Sequence, residues 1–219
     1  MLRGVVFDMD GVVIDSHPAH RAAWKEFLQG VGRVTSDAEL DIIFDGGKRE
    51  EILKYFLGEL DPRQIAEYGK RKDEILQIHG SKLNLIAGVV EFLDHLLNSG
   101  IRIALATSGG RRRVWGTLQE LGLIDYFEII VTGDDVKAGK PDPAIYQLAA
   151  TRMQESPTNL VAVEDAVSGV KAARLAGMRC LGIAHNGRAE LLRSAGANPI
   201  VNDFRSLSLA QLEACLSDS

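Results

Sequence analysis

The chain has 219 residues, of which 46% are hydrophobic and 25% charged, and its formal net charge is −5. This length and composition suit one α/β domain, or one domain with an insertion, that folds without disulfide bonds. The mild acidity argues against non-specific binding to nucleic acid, and no apolar run approaches the roughly 18 residues of a membrane span. Cys180 and Cys215 lack metal-binding spacing, which favours reduced thiols. We therefore expect a cytoplasmic monomer without a targeting signal that contacts neither nucleic acid nor a membrane.

The first predicted element is a strand that ends in two acidic residues. Residues 5–7 are β-branched or aromatic, which favours a buried strand. Asp8 and Asp10 follow at its carboxyl end, where open α/β sheets bind ligands, and Gly11 permits a sharp turn. Two carboxylates this close repel each other unless a cation joins them. The pair therefore predicts a hard-metal site with one acid able to carry a proton, although the same residues also fit a simple turn.

The next seventy or so residues carry helical patterns and almost nothing typical of a strand. Apolar residues recur with a helical period over 17–30, more weakly over 37–44, and again over 47–58 and 62–79. This part of the chain is therefore predicted to be an all-helical insertion, at about 16–87.

From residue 88 onward, strand and helix patterns alternate, and the predicted elements fall at helix 89–98, strand 101–107, helix 111–121, strand 128–132, helix 143–153, strand 159–164, helix 167–176, strand 179–184, helix 188–195, strand 200–201 and helix 208–216. Such alternation predicts a parallel sheet with crossover helices on its faces. The predicted fold is thus a doubly wound, Rossmann-like α/β core formed by 1–15 and 88–219, with a helical cap inserted at 16–87.

Three further polar motifs lie at the ends of these core elements. Thr107 and Ser108 end a strand before a helix, which suits phosphate binding and equally suits a helix N-cap. Lys140 precedes a helix and is either an exposed loop charge or a partner for a phosphoryl group and the acids. Glu164 and Asp165 end another buried strand, and they fit a metal site or a favoured helix N-terminal pair. Four acids on two strand ends favour the metal, because burying them without a cation is costly.

Together these motifs resemble those of the haloacid dehalogenase superfamily of aspartyl phosphotransferases. The resemblance covers nearly the whole chain, because motifs at 8–11, 107–108, 140–141 and 164–165 occur in the family's order. The helical segment resembles the family's small α-helical cap. Two longer stretches, 7–16 and 164–178, are typical of the β-phosphoglucomutase-like branch, and the complete set of acids disfavours a dehalogenase.

The resemblance assigns chemical roles to the core motifs. It implies that Asp8 is the nucleophile that attacks phosphorus and becomes an aspartyl phosphate. Asp10 would protonate the leaving oxygen and then deprotonate the incoming water or hydroxyl. Thr107 and Lys140 would bind the transferring phosphoryl oxygens.

The resemblance also implies a Mg²⁺ cofactor. The ion would be held by the Asp8 and Asp165 carboxylates and by the backbone carbonyl of Asp10. Glu164 would lie in or beside the same ligand shell. A small number of carboxylates, with water and a phosphate oxygen, suits the octahedral preference of Mg²⁺.

Within the helical segment, resemblance to mutases and several sugar phosphatases suggests substrate-binding positions at Ser16, His20, Trp24, Gly46, Arg49 and Lys72. Arg49 is the strongest candidate, because a second phosphate or a sugar hydroxyl needs a fork-shaped donor. As an alternative, residues 48–50 and 70–72 belong to solvent-exposed helix faces. His20 is then either a surface residue or one whose hydrogen bonds are made within the protein.

One departure from the mutases follows the second motif. Where mutases carry a hydroxyl, a lysine and an asparagine that help to hold the non-reacting phosphate, this chain has Gly109, Gly110 and Arg111. Ser108 and Arg111 stay candidates for substrate binding. The loss of two side-chain donors favours a Mg²⁺-dependent phosphatase of a small phosphorylated metabolite, such as a sugar phosphate. A β-phosphoglucomutase and a non-catalytic binding protein are the alternatives.

Overall fold

The computed structural model describes residues 1–45, 47–79, 83–185 and 187–217. Its strands are β1 (Gly4–Phe7), β2 (Ile14–Asp15), β3 (Asn84–Leu85), β4 (Arg102–Ala106), β5 (Ile129–Val131), β6 (Leu160–Glu164), β7 (Arg179–Ile183) and β8 (Ile200–Val201). Six of these strands form one parallel sheet in the order β5-β4-β1-β6-β7-β8. The doubly wound α/β fold predicted from the alternating patterns is therefore confirmed.

Helices cover both faces of this sheet and form the segment between β2 and β3. The α-helices are α1 (His17–Gly30), α2 (Arg49–Leu57), α3 (Pro62–His79), α4 (Val89–Asn98), α5 (Arg111–Glu120), α6 (Ala144–Met153), α7 (Val167–Leu175), α8 (Ala189–Ala195) and α9 (Leu209–Ser217). The weaker pattern at 37–44 forms a 3₁₀ helix, Glu39–Phe44, instead of an α-helix. None of the helices in the described part of the chain combines the length and the apolarity that crossing a bilayer requires.

The central strands are buried because helices cover both sides of the sheet. Phe7 packs on one face against Phe92 and Phe204, with ring centroids 6.5 and 6.0 Å away. Tyr146 and Met153 of α6 are fully buried in the apolar cluster on the other face. Apolar side chains on both faces explain why the strands appear in the sequence as continuous hydrophobic runs.

The helices α1, α2 and α3 share an apolar cluster of their own. Trp24 and Phe27 of α1 meet edge to face at 5.8 Å, and Phe56 of α2 lies 6.5 Å from Trp24. The helical character predicted for this segment is confirmed. Its boundaries as a separate cap, at 16 and 87, stay a prediction.

A short antiparallel pair, β2 with β3, connects the two linkers that lead into and out of the helical segment. Ile14 pairs with Leu85, and Asp15 pairs with Asn84. The sequence analysis missed both strands, because two residues are too few to show a period. The pair holds the two linkers side by side next to the end of β1.

The register of the sheet brings the polar motifs to one edge. Phe7 of β1 lies opposite Leu105 of β4 and Val163 of β6. The Asp8 N–H continues this pairing by donating to the Val163 carbonyl at 3.0 Å. The residues that follow these strands therefore meet at the carboxyl edge of the sheet, which is where open α/β sheets place their ligands.

Candidate active site

A cavity of about 300 Å³ lies between the carboxyl edge of the sheet and the helical segment. The core and the helical segment both contribute predicted site residues to its lining, namely Asp8, Asp10, His20, Trp24, Arg49, Lys72, Thr107, Ser108, Lys140, Glu164 and Asp165. Distant parts of the sequence thus form one polar cavity.

A buried lysine joins two of the acids at the base of the cavity. Lys140 Nζ donates to Asp8 Oδ1 at 2.6 Å, to Glu164 Oε1 at 2.5 Å and to the Ala106 carbonyl at 3.1 Å. Burial alone would lower the pKa of Lys140, but the two carboxylates outweigh it and raise that pKa. Lys140 is therefore a fixed cation beside the predicted nucleophile, and it is not an exposed loop charge.

Glu164 is completely buried, and protein donors engage both of its carboxylate oxygens. Oε1 accepts from Lys140 and from the hydroxyl of Tyr146 at 2.6 Å. Oε2 accepts from the backbone N–H groups of Asp165 and Ala166 at 3.1 and 3.3 Å. These contacts favour a role as the anchor of Lys140 over direct metal ligation. The sequence analysis did not identify Tyr146, whose position inside a helix gave no sign of this contact.

Asp10 accepts hydrogen bonds from Ser16 and Arg113 and lies near His20. Ser16 Oγ donates to Oδ1 at 2.7 Å, and Arg113 donates to both carboxylate oxygens. His20 Nε2 lies 3.4 Å from Oδ1. Burial alone would raise the pKa of Asp10, but Arg113 outweighs it and holds the pKa well below its usual value.

The sequence analysis missed Arg113 as a site residue. The signal was present in the helical period. Arg113 and Thr117 of α5 are half-buried beside the fully buried Val114 and Leu118, so position 113 belongs to the inward-facing stripe of the helix. An arginine on such a stripe requires a buried acid as its partner.

His20 and Lys72 form a second polar group on the side of the helical segment. Burial and the Lys72 ammonium lower the pKa of His20 to about 4, and burial and Arg113 lower the pKa of Lys72 to about 8. Lys72 Nζ lies 3.4 Å from His20 Nδ1 and 5.4 Å from the centre of the Trp24 ring. Lys72 can only donate, so Nδ1 accepts and Nε2 carries the proton at neutral pH. This buried Nε2 has no hydrogen-bond partner within the described residues.

Asp165 contacts a histidine that the sequence analysis did not select. His17 Nε2 lies 3.0 Å from Asp165 Oδ2, and the His17 ring lies 4.4 Å from the ring of Phe44. Burial alone would lower the pKa of His17, but Asp165 outweighs it and raises the pKa. Gly11, at φ +79°, makes room for this pair, because a Cβ atom there would overlap Asp165 Oδ2 and lie 2.6 Å from His17 Nε2.

The donor atoms in the cavity fit a hard divalent cation. Asp8 and Asp165 present carboxylates, while burial raises the pKa of Asp8 well above its usual value and Glu164 adds to that rise. Asp8, Glu164 and Asp165 carry more negative charge than the neighbouring Lys140 compensates, and a bound divalent ion relieves such an excess. Across 1–45, 47–79, 83–185 and 187–217, no three His, Cys, Asp or Glu side chains are grouped as a metal site by themselves. An ion here would therefore also need backbone, water or substrate oxygens, which Mg²⁺ commonly uses.

The remaining predicted residues divide into those inside and those outside the cavity. Thr107 is buried, and its Oγ1 accepts from the N–H of Gly109 at 3.1 Å, as in a capped turn. Ser16 is buried on Asp10 and does not line the cavity. Arg111 is also outside the lining, since its exposed side chain donates to Asp135 at 2.7 Å. Gly46 lies outside the described residues.

Arg49 faces the cavity and is paired within the helical segment. It donates to the Asp73 carboxylate and, at 3.4 Å, to the Gly69 carbonyl. Lys48, from the same turn, crosses to the core and donates to the carbonyls of Val136 and Lys137 at 2.7 and 3.0 Å. Lys48 and Arg49, at the start of α2, therefore contact both walls of the cavity.

Residues 2–177 match the haloacid dehalogenase-like hydrolase family. The chain belongs to this family. It is 35% identical to a phosphorylated carbohydrates phosphatase from Thermotoga maritima, with 95% of this chain and 98% of the relative covered. It is 33% identical to the β-phosphoglucomutase of Bacillus subtilis, with 96% and 94% covered. The chain is thus an enzyme of the β-phosphoglucomutase-like branch of the haloacid dehalogenase-like hydrolases.

Solved structures of haloacid dehalogenase-like proteins share this fold. A mutant of CbbY from Rhodobacter sphaeroides, in complex with xylulose 1,5-bisphosphate, superposes with a TM-score of 0.84. It is 27% identical to this haloacid dehalogenase-like chain, and the match covers 97% of this chain and 99% of CbbY. The family and the branch predicted from the four motifs are therefore confirmed.

Proposed function

We propose that this protein is a Mg²⁺-dependent phosphatase that hydrolyses a small sugar phosphate through an aspartyl-phosphate intermediate. The observation that carries the proposal is the contact of Lys140 with both Asp8 and Glu164 at the base of a cavity that Asp10 also lines. One carboxylate with a fixed cation, next to a second carboxylate with different partners, suits a nucleophile and a separate acid–base group. The similarity to a carbohydrate phosphatase supports the choice of substrate class.

In the first step, an Asp8 oxygen attacks phosphorus while the bond from phosphorus to the ester oxygen breaks. For this step Asp10 must leave the Arg113 ion pair that lowers its pKa and take up a proton; it then gives this proton to the ester oxygen, and the sugar leaves as an alcohol. In the second step, Asp10 takes a proton from water, the water oxygen attacks the phosphoryl group, and the bond to Asp8 breaks. Inorganic phosphate leaves, and Asp8 is restored as a carboxylate.

Two residues of this chain stabilise the charge that develops on the phosphoryl oxygens. The Lys140 ammonium lies beside Asp8, and the Thr107 hydroxyl lies at the start of the loop before α5. Mg²⁺, held by Asp8, Asp165 and the Asp10 carbonyl, would neutralise phosphoryl charge when bound. Glu164 fixes the position of Lys140, which lowers the cost of reorganisation during the reaction.

The helical segment is proposed to be a cap, residues 16–87, that covers the core of 1–15 and 88–219. Lys48 bridges the two parts, Asp45 forms a 3.0 Å ion pair with Arg188, and Ser168 donates to the Asp45 carbonyl. These contacts join the helical segment to the core, and Lys48 also lines the cavity, so breaking them would admit substrate. His20 Nε2 is buried and has no hydrogen-bond partner among the residues that the structure describes, so it offers the substrate a hydrogen-bond donor.

A β-phosphoglucomutase is the second candidate, supported by the placement of His20, Arg49 and Lys72 in the cavity and by the mutase relative. The loop after the second motif favours the hydrolase. Gly109 and Gly110 supply no side-chain donors, and Arg111 turns to Asp135 and away from the cavity. A mutase must bind the second phosphate to retain its bisphosphate intermediate between the two transfers, and this loop supplies no side chain that does so.

The deciding experiment is ³¹P NMR of the purified protein with Mg²⁺, β-glucose 1-phosphate and a trace of glucose 1,6-bisphosphate. Growth of inorganic phosphate alone supports the phosphatase, and growth of glucose 6-phosphate establishes the mutase instead. If neither signal grows, a panel that includes glucose 6-phosphate, fructose 1-phosphate and xylulose 1,5-bisphosphate follows. Binding of Mg²⁺ and these ligands with no turnover on the whole panel would contradict the enzyme proposal and favour a binding protein.

A further inference from the structure

Arg113 and Asp10 form a two-pronged ion pair inside the cavity. Arg113 Nη1 lies 3.0 Å from Asp10 Oδ1, and Nη2 lies 2.5 Å from Oδ2. The side chains are only 18% and 23% exposed. Oδ1 also accepts from Ser16 at 2.7 Å. Both oxygens of Asp10 are therefore engaged by protein donors, and Asp10 meets a substrate oxygen only after exchanging one of these partners.

The loop before α5 is shaped to allow this pair. A Cβ atom on Gly109 would overlap Arg113 Nη2 and would lie 3.1 Å from the guanidinium carbon. With a side chain at residue 109, the Arg113 guanidinium would have to shift from this position. Gly109, which lacks the hydroxyl that mutases carry at this position, also leaves the space in which the Arg113 guanidinium lies.

The surroundings of Arg113 determine what can replace Asp10 as its partner. Lys72 and Arg49 line the same cavity, and Asp73 also lines it but is already paired with Arg49. A guanidinium that leaves Asp10 without a new acceptor would be a partly buried, unpaired charge, which is costly. A fork-shaped donor is satisfied best by two adjacent oxygens, such as vicinal sugar hydroxyls or an acid group.

We infer that Arg113 determines substrate specificity. Its guanidinium stays bound to the Asp10 carboxylate until two oxygens on the non-reacting part of the substrate bind the guanidinium instead. This inference rests on the proposed phosphatase function. A phosphorylated sugar or polyol releases Asp10 for proton transfer. A phosphate ester without additional oxygens leaves the ion pair intact and is hydrolysed slowly, even though its phosphoryl group fits.

The test compares two substrates whose leaving groups are both primary alcohols, so that each needs Asp10 equally. One is n-butyl phosphate, which has no hydroxyl, and the other is the better of fructose 1-phosphate and glucose 6-phosphate. In Arg113→Gln, kcat/KM for the sugar phosphate is expected to fall about tenfold or more, chiefly through KM, while that for n-butyl phosphate does not fall. The ratio of interest is kcat/KM for the sugar phosphate divided by kcat/KM for n-butyl phosphate. Arg113→Lys is expected to keep only part of the wild-type ratio, because an ammonium lacks the two parallel N–H donors of a guanidinium.

Three further variants separate specificity from folding. Arg112→Gln, at the exposed neighbouring arginine, should leave the ratio of the two kcat/KM values unchanged. Gly109→Ser should lower the ratio as Arg113→Gln does, because it displaces the guanidinium without removing it, whereas Gly116→Ser on the exposed side of α5 should not. Thermal melting of each variant confirms that it is folded.

The outcomes are distinct. An equal loss of kcat/KM on both substrates in Arg113→Gln would show that Arg113 only supports Asp10, and this would overturn the inference. An unchanged ratio in an active protein would overturn it as well, and the phosphatase proposal would stand. A wild-type protein that hydrolyses neither these esters nor the wider sugar phosphate panel would overturn both.

Discussion

Lys140 Nζ lies 2.6 Å from Asp8 Oδ1, although the two residues are 132 positions apart in the sequence. The same ammonium contacts Glu164, and all three side chains are buried. One cation thus compensates two acids, and the remaining negative charge of the site is left for a bound ion and for Arg113 to balance. This arrangement makes both stability and activity depend on Lys140.

Lys140→Met should lower the free energy of unfolding by about 3–5 kcal/mol in the presence of EDTA, because it leaves the buried carboxylates of Asp8 and Glu164 without a compensating cation. Urea denaturation at pH 7 measures the change. Lys137→Met, at an exposed lysine three residues earlier, should change stability by less than about 0.5 kcal/mol. If the two variants were equally stable, Lys140 would not be the compensating charge.

Asp8→Asn should reduce the rate of phosphate release by about 10³-fold or more, because an amide cannot form the aspartyl phosphate. Asp15→Asn, at the exposed acid of β2, should retain the wild-type rate. A steady-state phosphate assay with a sugar phosphate and Mg²⁺ compares the two. Full activity in Asp8→Asn would exclude the proposed mechanism.

Gly11→Ala should inactivate the enzyme and destabilise it, because φ is +79° and the new Cβ would overlap the Asp165 carboxylate. The matched variant is Gly116→Ala, where nothing lies within 4 Å of the new atom. Because alanine favours a helix over glycine by about 0.5–1 kcal/mol, Gly116→Ala should raise the melting temperature. The two variants should therefore change the melting temperature in opposite directions. A change in the same direction would contradict the role of Gly11 in making room for the Asp165 carboxylate.

The buried His20 should make the protein less stable as the pH falls. Its pKa is about 4 in the folded chain, against 6.5 for an unperturbed histidine. Between these two values the unfolded chain binds the proton more strongly, so the free energy of unfolding decreases as the pH drops through 6.5 towards 4. The loss attributable to His20 between pH 7 and pH 4.5 is about 2 kcal/mol.

His20→Gln should remove this contribution, whereas His95→Gln, at an exposed histidine, should not. Urea denaturation of the three proteins at pH 7 and pH 4.5 gives the differences directly. An identical pH dependence in wild type and His20→Gln would show that His20 is not held neutral by its surroundings.

The contact of His17 with Asp165 predicts an effect on metal affinity. Removal of the metal with EDTA should abolish turnover, and Mg²⁺ should restore it. His17→Ala should weaken metal binding about tenfold, because a hydrogen-bonded carboxylate is a better oriented ligand. Titration with Mn²⁺ followed by electron paramagnetic resonance measures affinity without turnover. His95→Ala is the control, and equal affinities in the two variants would rule out this role.

The order of elements and the identity of the core motifs could be predicted from the sequence, because they depend on local patterns. Apolar strands followed by acids gave Asp8, Asp10, Glu164 and Asp165, and the cavity contains all four. The helical period also predicted α1, α2 and α3 within a few residues of their bounds. Two-residue strands escaped prediction, because β2 and β3 are defined only by pairing with each other.

The residues missed at the site share a physical cause. Arg113, Tyr146 and His17 act through contacts with residues at least 18 positions away, and neither periodicity nor a local motif encodes such contacts. Arg111 was selected because it stands where mutases carry an asparagine that helps to hold the second phosphate, yet the helix directs its side chain to Asp135. Successive side chains of an α-helix point about 100° apart, so residues close in sequence on α5 contact different parts of the protein.

By itself the sequence determined the fold class, the family and the acidic residues at the carboxyl edge of the sheet, because short segments carry strand patterns, turn residues and motif acids. Only the tertiary structure decided the partners of those acids: Lys140 for Asp8, Arg113 for Asp10 and His17 for Asp165. Such pairings depend on how strands and helices pack in space. A free energy of packing is summed over contacts between distant residues and is not present in any one segment.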